Sequence, residues 1–157
     1  PAYKDNSPII SADDRCNMVK LAIKPFDYML LSTIETDRPG NTYTADTLAQ
    51  IYDSYKKIYF IIGADSLLYI QDWYHPEYIC SHCHLLCANR DNNSASVLID
   101  QKHFLADKYG AVIDFIDVPE LPYSSTDIRK KVAMGLSVKE DVGEEVEEYI
   151  KSRKLYV

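Results

Sequence analysis

Ile58-Tyr59-Phe60-Ile61-Ile62-Gly63-Ala64-Asp65 decides how this chain folds. Ile58 to Ile62 is a continuous apolar run of strand length, closed by Gly63. A half-wet strand alternates apolar and polar residues. A run without alternation predicts a strand buried on both faces, as in a parallel sheet. Parallel neighbours need crossovers, usually helical. The flanking sequence supplies them. His84 to Ala88 and Val112 to Ile116 read as further strands, and so does Tyr28 to Ile34, which is apolar and partly β-branched. Ser11-Ala12-Asp13-Asp14 reads as a helix cap before the stripe Met18, Val19, Ala22 and Ile23, which Pro25 ends. Thr44 is expected to cap a second helix with Leu48, Ile51, Tyr52 and Tyr55 on one side. Asp65 to Ile70 predicts a short helical turn, and Pro76 opens another helix. Ser96 to Tyr109, Ser125 to Met134 and Gly143 to Lys151 complete the helices. Strands alternating with helices predict an α/β fold with a parallel sheet. No internal repeat or low-complexity tract divides the chain, so residues 1–157 are expected to form a single domain.

The bulk numbers agree with a globular α/β domain. With 157 residues, 46% hydrophobic and 26% charged, the chain can build one real core. A formal net charge of −7 disfavours non-specific binding to nucleic acid or anionic membrane. It does not disfavour ATP, because a local basic site decides that. No apolar run reaches bilayer-spanning length, and no signal peptide is visible. Three of the four cysteines, Cys80, Cys83 and Cys87, crowd into eight residues, and Cys16 lies apart. That is not a distributed disulfide framework, so a reducing, cytoplasmic setting is expected. The chain opens without Met on Pro1-Ala2-Tyr3-Lys4, which reads as a loop leaving an earlier element; sequence upstream of it is expected.

In open parallel sheets, ligands bind outside the carboxyl ends of the strands. Gly63-Ala64-Asp65 follows one such end, Arg90 another, and Tyr123-Ser124-Ser125-Thr126-Asp127-Ile128-Arg129 a third. Gly63 allows a backbone or ligand to approach closely, and Asp65 can accept from a ribose hydroxyl. Ser125 and Thr126 are good helix-start residues, and a helix start attracts anions. Arg129 lies four residues past Ser125, on the same face, and leans back toward it. Hydroxyls, free N–H groups and an Arg fork suit a phosphate chain. A turn glycine, a helix-capping Asp and a surface Arg are the commoner readings of each feature alone; their shared location is the argument. Trp73-Tyr74, before His75-Pro76, holds the one Trp of the chain, placed either to stack on a flat ring or to close the core. Cys80-Ser81-His82-Cys83-His84-Leu85-Leu86-Cys87 supplies half of a zinc site, but no second Cys pair stands at usual spacing. Partly buried thiols are the simpler reading, and no metal site is assigned. Neither a Ser/His/Asp triad nor a Walker-type loop is visible.

Taken in order, these residues resemble the bacterial nicotinate-nucleotide adenylyltransferases. Pro1-Ala2-Tyr3-Lys4 is similar to that family's Pro-Pro-His-Lys loop, and Arg15 with Met18 to its Arg-x-x-Met-x-x-x-Ala-Ile helix. Arg38-x-Gly-x-Thr42-Tyr43-Thr44-x-x-Thr47-Leu48 resembles its substrate loop. Phe60-Ile61-Ile62-Gly63-Ala64-Asp65-Ser66-Leu67, then Trp73-Tyr74, is close to diagnostic. Arg90, Ser124-Ser125-Thr126-x-x-Arg129, Val146-x-x-Tyr149-Ile150 and Leu155-Tyr156 complete the set.

The resemblance implies the Rossmann-like, doubly wound parallel sheet of the nucleotidyltransferase superfamily, and an enzyme that joins ATP and nicotinate mononucleotide, with Mg²⁺, to give deamido-NAD and pyrophosphate in NAD biosynthesis. It places the pyridine ring on Trp73 beside Tyr43, and the nicotinate carboxylate on the backbone N–H groups of Thr44 and Tyr74. Gly63 and Asp65 then line the adenosine site. Arg90, Ser124, Ser125 and Arg129 hold ATP, with Lys4 helping. One departure stands out. The family's Gly-x-Phe-x-Pro-x-His-x-x-His loop is absent, and none of His75, His82, His84 or His103 has its context. Tyr3 also replaces the His of the Pro-Pro-His-Lys loop. About forty upstream residues, one strand–helix unit, are therefore expected to be missing. The expected consequences are an inactive chain and an unpaired strand edge that invites aggregation or pairing into a homo-oligomer. Other readings stay open: a superfamily relative acting on phosphopantetheine or nicotinamide mononucleotide, or a non-catalytic nucleotide- or zinc-binding module.

Overall fold

The structure, a computed structural model, describes residues 10–89, 95–119 and 122–157. In chain order its elements are α1 (Ala12–Ile23), α2 (Thr44–Ile51), β1 (Tyr59–Gly63), α3 (Ala64–Tyr69), α4 (Pro76–His82), β2 (His84–Asn89), α5 (Ala95–Tyr109), β3 (Val112–Asp117), α6 (Ser125–Ala133), α7 (Lys139–Val142) and α8 (Glu144–Ser152). Short 3-10 turns follow α2 and α3 at Tyr52–Ser54 and Ile70–Asp72. The chain divides into two compact units, Arg38–Leu121 and the pair of segments Pro1–Asp37 and Pro122–Val157.

The first of these is the sheet unit. Its described strands run parallel in the order β1-β2-β3, with Tyr59 opposite His84 and His84 opposite Val112. Successive side chains of a strand point to opposite faces. Ile62, Leu85, Cys87 and Ile113 share the buried face, packed with Leu48 of α2, Leu67 of α3, Ile79 of α4 and Leu98 and Leu105 of α5. The four helices thus cover one side of the sheet. On the alternate face, Ile61 is 65% exposed, and Tyr59 and Val112 are exposed too. The run at 58–62 is therefore covered on one face, where the absence of alternation predicts two. Sequence pattern records which residues tolerate burial, not which surfaces find a cover. β1 is also an end strand, with β2 as its only described neighbour.

The second unit is helical. Val132, Val138, Val146, Ile150 and Leu155 form its core, with Met18, Leu21 and Ile128 packed alongside. Ser11 caps α1 as expected, accepting the Asp14 N–H at 3.0 Å. α6 ends in a tight reversal on Gly135, at φ +72°. There the Gly135 N–H donates to Val132 O and the Leu136 N–H to Lys131 O, satisfying two end carbonyls. The expected strand at Tyr28–Ile34 does not form. That stretch is coil and turn, with Leu30 92% exposed. A strand exists only where a neighbour completes its ladder, and none of the described strands pairs with it. The sequence reading also misses α7, a single turn between Val138 and Gly143.

Two buried carboxylates brace this unit. Asp14 takes hydrogen bonds from Ser11 Oγ at 2.6 Å, Tyr149 Oη at 2.8 Å and Arg153 Nε at 3.1 Å, so α1 is tied to α8. Glu147 takes them from Ser137 Oγ at 2.6 Å and the Val138 N–H at 2.7 Å, and pairs with Lys151 at 2.8 Å. The Lys151 contact, then those from Ser137 and Val138, hold the Glu147 carboxyl at about 2, against the opposing pull of burial.

Candidate functional site

In the sheet unit, β1 ends at Gly63, which is also the residue before α3. A Cβ added there would meet no atom within 4 Å, so the strand end is open to an approaching group. Asp65 follows in the first turn of α3 with its side chain exposed. The aromatic pair after α3 splits its tasks. Trp73 is half-buried, edge-on to Phe60 at 6.4 Å between centroids, and packs against the core. Tyr74 is exposed and lies 4.5 Å from Tyr43, with planes 33° apart. Its other neighbour is His75, edge-on at 4.1 Å. Two residues from separate loops, expected at the pyridine subsite, are thus brought together. Thr44 opens α2 rather than capping it; Tyr43 is the cap and gives no side-chain bond. The Tyr43 side chain thus leaves the first N–H groups of α2 without a cap bond.

Arg38 is the residue of this unit whose role the sequence reading leaves unassigned. Its guanidinium donates to Thr47 Oγ1 and lies 4.0 Å from Asp46, both in α2. Its Nε and Nη1 are buried without a hydrogen-bond partner. The sequence signal was present, since Arg38 heads the loop motif, but spacing could not show that its side chain folds back onto α2.

In the helical unit, α6 starts at Ser125, where the sequence predicts it. Ser124, in extended backbone, caps α6 and accepts the Asp127 N–H at 3.4 Å. Ser125 becomes the first helical residue and stays exposed. Arg129 donates from Nη2 to Thr126 Oγ1 at 3.3 Å, so it does lean back toward the helix start. Ser125 and Arg129 line one cleft of about 500 Å³, together with Arg15, Met18, Ile128 and Tyr156. Burial pushes the Tyr156 phenol up, and the charges of Arg129 and Arg15 pull against it. Ser125 and Arg129 therefore share a wall as expected. Arg15 joins them from α1, which no spacing in the sequence could reveal.

Lys4 and Arg90 lie outside the described residues, as does Tyr3. The cysteines of the sheet unit are buried thiols. Burial raises Cys80 to about 11, helped by the Glu77 charge, and raises Cys83 to about 12. Cys83 Sγ donates to Ile79 O at 3.1 Å. Among the described residues, no three His, Cys, Asp or Glu side chains gather as a metal ion would require. Three of the histidines stand in structural settings. His75 pairs with Glu77 at 2.9 Å, His82 stacks on Tyr78 at 3.7 Å, and His84 lies 2.9 Å from Asp114. No described helix is long and apolar enough to cross a membrane.

Known proteins frame this geometry. Residues 1–131 match the cytidylyltransferase-like family. The chain is 35% identical, over its whole length and 80% of the relative's, to the probable nicotinate-nucleotide adenylyltransferase of Lachnoclostridium phytofermentans. It is 36% identical to the protein of the same name from Moorella thermoacetica, across 99% of this chain and 73% of that one. Among solved structures, Plasmodium falciparum nicotinic acid mononucleotide adenylyltransferase complexed with APC superposes with a TM-score of 0.72. That match covers 96% of this chain and 78% of the other at 18% identity, which speaks for the fold. A parallel sheet with helical crossovers, the open strand end at Gly63 and relatives matched along the whole of this chain lead to one conclusion: the chain belongs to the cytidylyltransferase-like family and, within it, to the nicotinate-nucleotide adenylyltransferases.

Proposed function

We propose that this protein transfers the adenylyl group of ATP to nicotinate mononucleotide, giving deamido-NAD and pyrophosphate in NAD biosynthesis. The observation that carries the reading is the likeness, along the whole of this chain, to relatives of that name. A phosphate oxygen of the mononucleotide attacks the α-phosphorus of ATP. The new P–O–P bond forms as the bond to the β-phosphate oxygen breaks, and pyrophosphate leaves with the electron pair. The protein's work is alignment and charge stabilisation rather than covalent chemistry.

In this reading, Gly63 gives the adenosine room at the strand end, and Asp65 accepts from its ribose. Ser124, Ser125 and Arg129 bind the phosphates, with Lys4 and Arg90. The nicotinate ring lies by Trp73, Tyr74 and Tyr43, and its carboxylate takes the N–H groups of Thr44 and Tyr74. Paired N–H donors favour a carboxylate over an amide, because an amide presents one acceptor and its own donors. The described residues offer no cage for a divalent ion. Mg²⁺ is therefore proposed to enter as the ATP chelate, bound mainly by phosphate oxygens and water, and no step is assigned to a protein-held metal. A cytoplasmic enzyme fits the buried, unpaired thiols.

Calorimetry tests the substrate assignment. The protein is expected to bind Mg·ATP and nicotinate mononucleotide, and the amide mononucleotide at least tenfold more weakly. Equal binding of acid and amide would overturn the carboxylate assignment. Failure to bind either substrate would overturn the function. Chromatographic detection of deamido-NAD with stoichiometric pyrophosphate tests the reaction itself.

A further inference from the structure

Arg15 projects from α1 into the same cleft that Ser125 and Arg129 line from α6. Two guanidinium groups on one wall repel each other unless an anion sits between them. The carboxylates nearby are spoken for. Asp14 is held by Ser11, Tyr149 and Arg153. Asp141, which also lines the cleft, gives both oxygens to Lys131, at 3.0 and 2.7 Å. Asp127 lies 3.6 Å from Lys130. Asp13 stands two residues from Arg15 on α1, and such neighbours do not face each other. In a chain of net charge −7, two arginines thus share a cleft whose described acids are engaged elsewhere. Tyr156 lines the same cleft, and the Arg129 and Arg15 charges oppose the rise that burial gives its phenol.

We propose that Arg15 is a further phosphate-binding residue of this protein, closing with Arg129 on the polyphosphate of the bound nucleotide. The inference rests on the reading of Ser125 and Arg129 as phosphate ligands and extends it to a second helix. A polyphosphate carries several negative oxygens along its length, so two Arg forks on separate elements can engage different phosphates at once. Met18, Ile128 and Val142 add apolar lining to the cleft, while Arg15 and Ser125 stand exposed to solvent.

The test is calorimetric titration of the whole chain with inorganic tripolyphosphate and with ATP, beside thermal unfolding of each variant. Arg15→Ala is expected to weaken both ligands about tenfold or more, as the loss of a charge-assisted contact does. Arg15→Lys is expected to recover part of that affinity, and the unfolding temperature should stay near that of the parent. If Arg129→Ala loses tripolyphosphate while Arg15→Ala binds it as tightly as the parent, Arg15 is no ligand and the inference fails alone. If the parent chain binds no tripolyphosphate, the phosphate reading of Ser125 and Arg129 fails with it. If Arg15→Ala weakens binding only in step with a fallen unfolding temperature, and Arg15→Lys restores neither, the role is structural and the proposal is overturned.

Discussion

The two units treat buried polarity in opposite ways. In the helical unit, each buried carboxylate is saturated: Asp14 has three side-chain partners, and Glu147 has Ser137, Val138 and Lys151. In the sheet unit the core is apolar, and three buried side-chain nitrogens of the described residues have no hydrogen-bond partner. Arg38 Nε and Nη1 have no hydrogen-bond partner, and His84 Nε2 faces Asp114 without hydrogen-bond geometry. The contrast teaches where each unit draws its stability. A small helical cluster around five buried side chains has little apolar area and ties its helices with charged struts. A sheet under four helices relies on area and can carry unsatisfied groups. Such groups are costly to keep, so they mark places where the fold serves something besides stability. Arg38, held against Asp46 and Thr47 of α2, carries two of them.

The largest effect that would break this contrast lies in the sheet core. Leu85 is fully buried at the centre of the sheet. Leu85→Ala should cost about 2–5 kcal/mol in urea unfolding; a cost under about 1 kcal/mol would mean the core is not where the sheet unit's stability resides. Next is binding. Arg129→Ala should cost about 1.5–3 kcal/mol of ATP affinity, read by calorimetry, with little change in unfolding. A purely structural Arg129 would show the reverse.

Glu147 gives a pH signature that only the strutted unit should have. Its folded carboxyl is held at about 2, below the ordinary 4.5, so the folded state favours the charged form. The stability it confers is complete above about pH 4.5 and is lost as pH falls toward 2. Glu147→Gln should therefore lower the urea midpoint at pH 7, and the gap to the parent should close across that window. A gap independent of pH would show that the ionic contacts to Glu147 contribute nothing. The smallest effect is Ile61→Ala, on the uncovered face of β1. It should change stability by less than about 1 kcal/mol, against the several expected for Leu85, one register position away on the neighbouring strand and on the opposite face. Equal costs at the two sites would show that both faces of the sheet are covered after all.

Much of this was readable in the sequence because local signals act over a few residues. Ser11 before an acidic first turn, Pro76 at a helix start and Gly135 after α6 each specify a backbone geometry on their own. Tyr28–Ile34 shows the limit. Its composition is that of a strand, yet a strand is a pairwise object, and no described partner completes it.

By itself the sequence determined three parallel strands, most of the helices and the order of motifs that joins this chain to its relatives, because periodicity and turn chemistry are local. Only the tertiary structure decided that Tyr43 meets Tyr74, that Arg15 meets the cleft of Arg129, that Arg38 turns back onto α2, and that one face of β1 stays bare. Those are contacts between residues distant in the chain, and no side chain encodes its partner until packing has placed both.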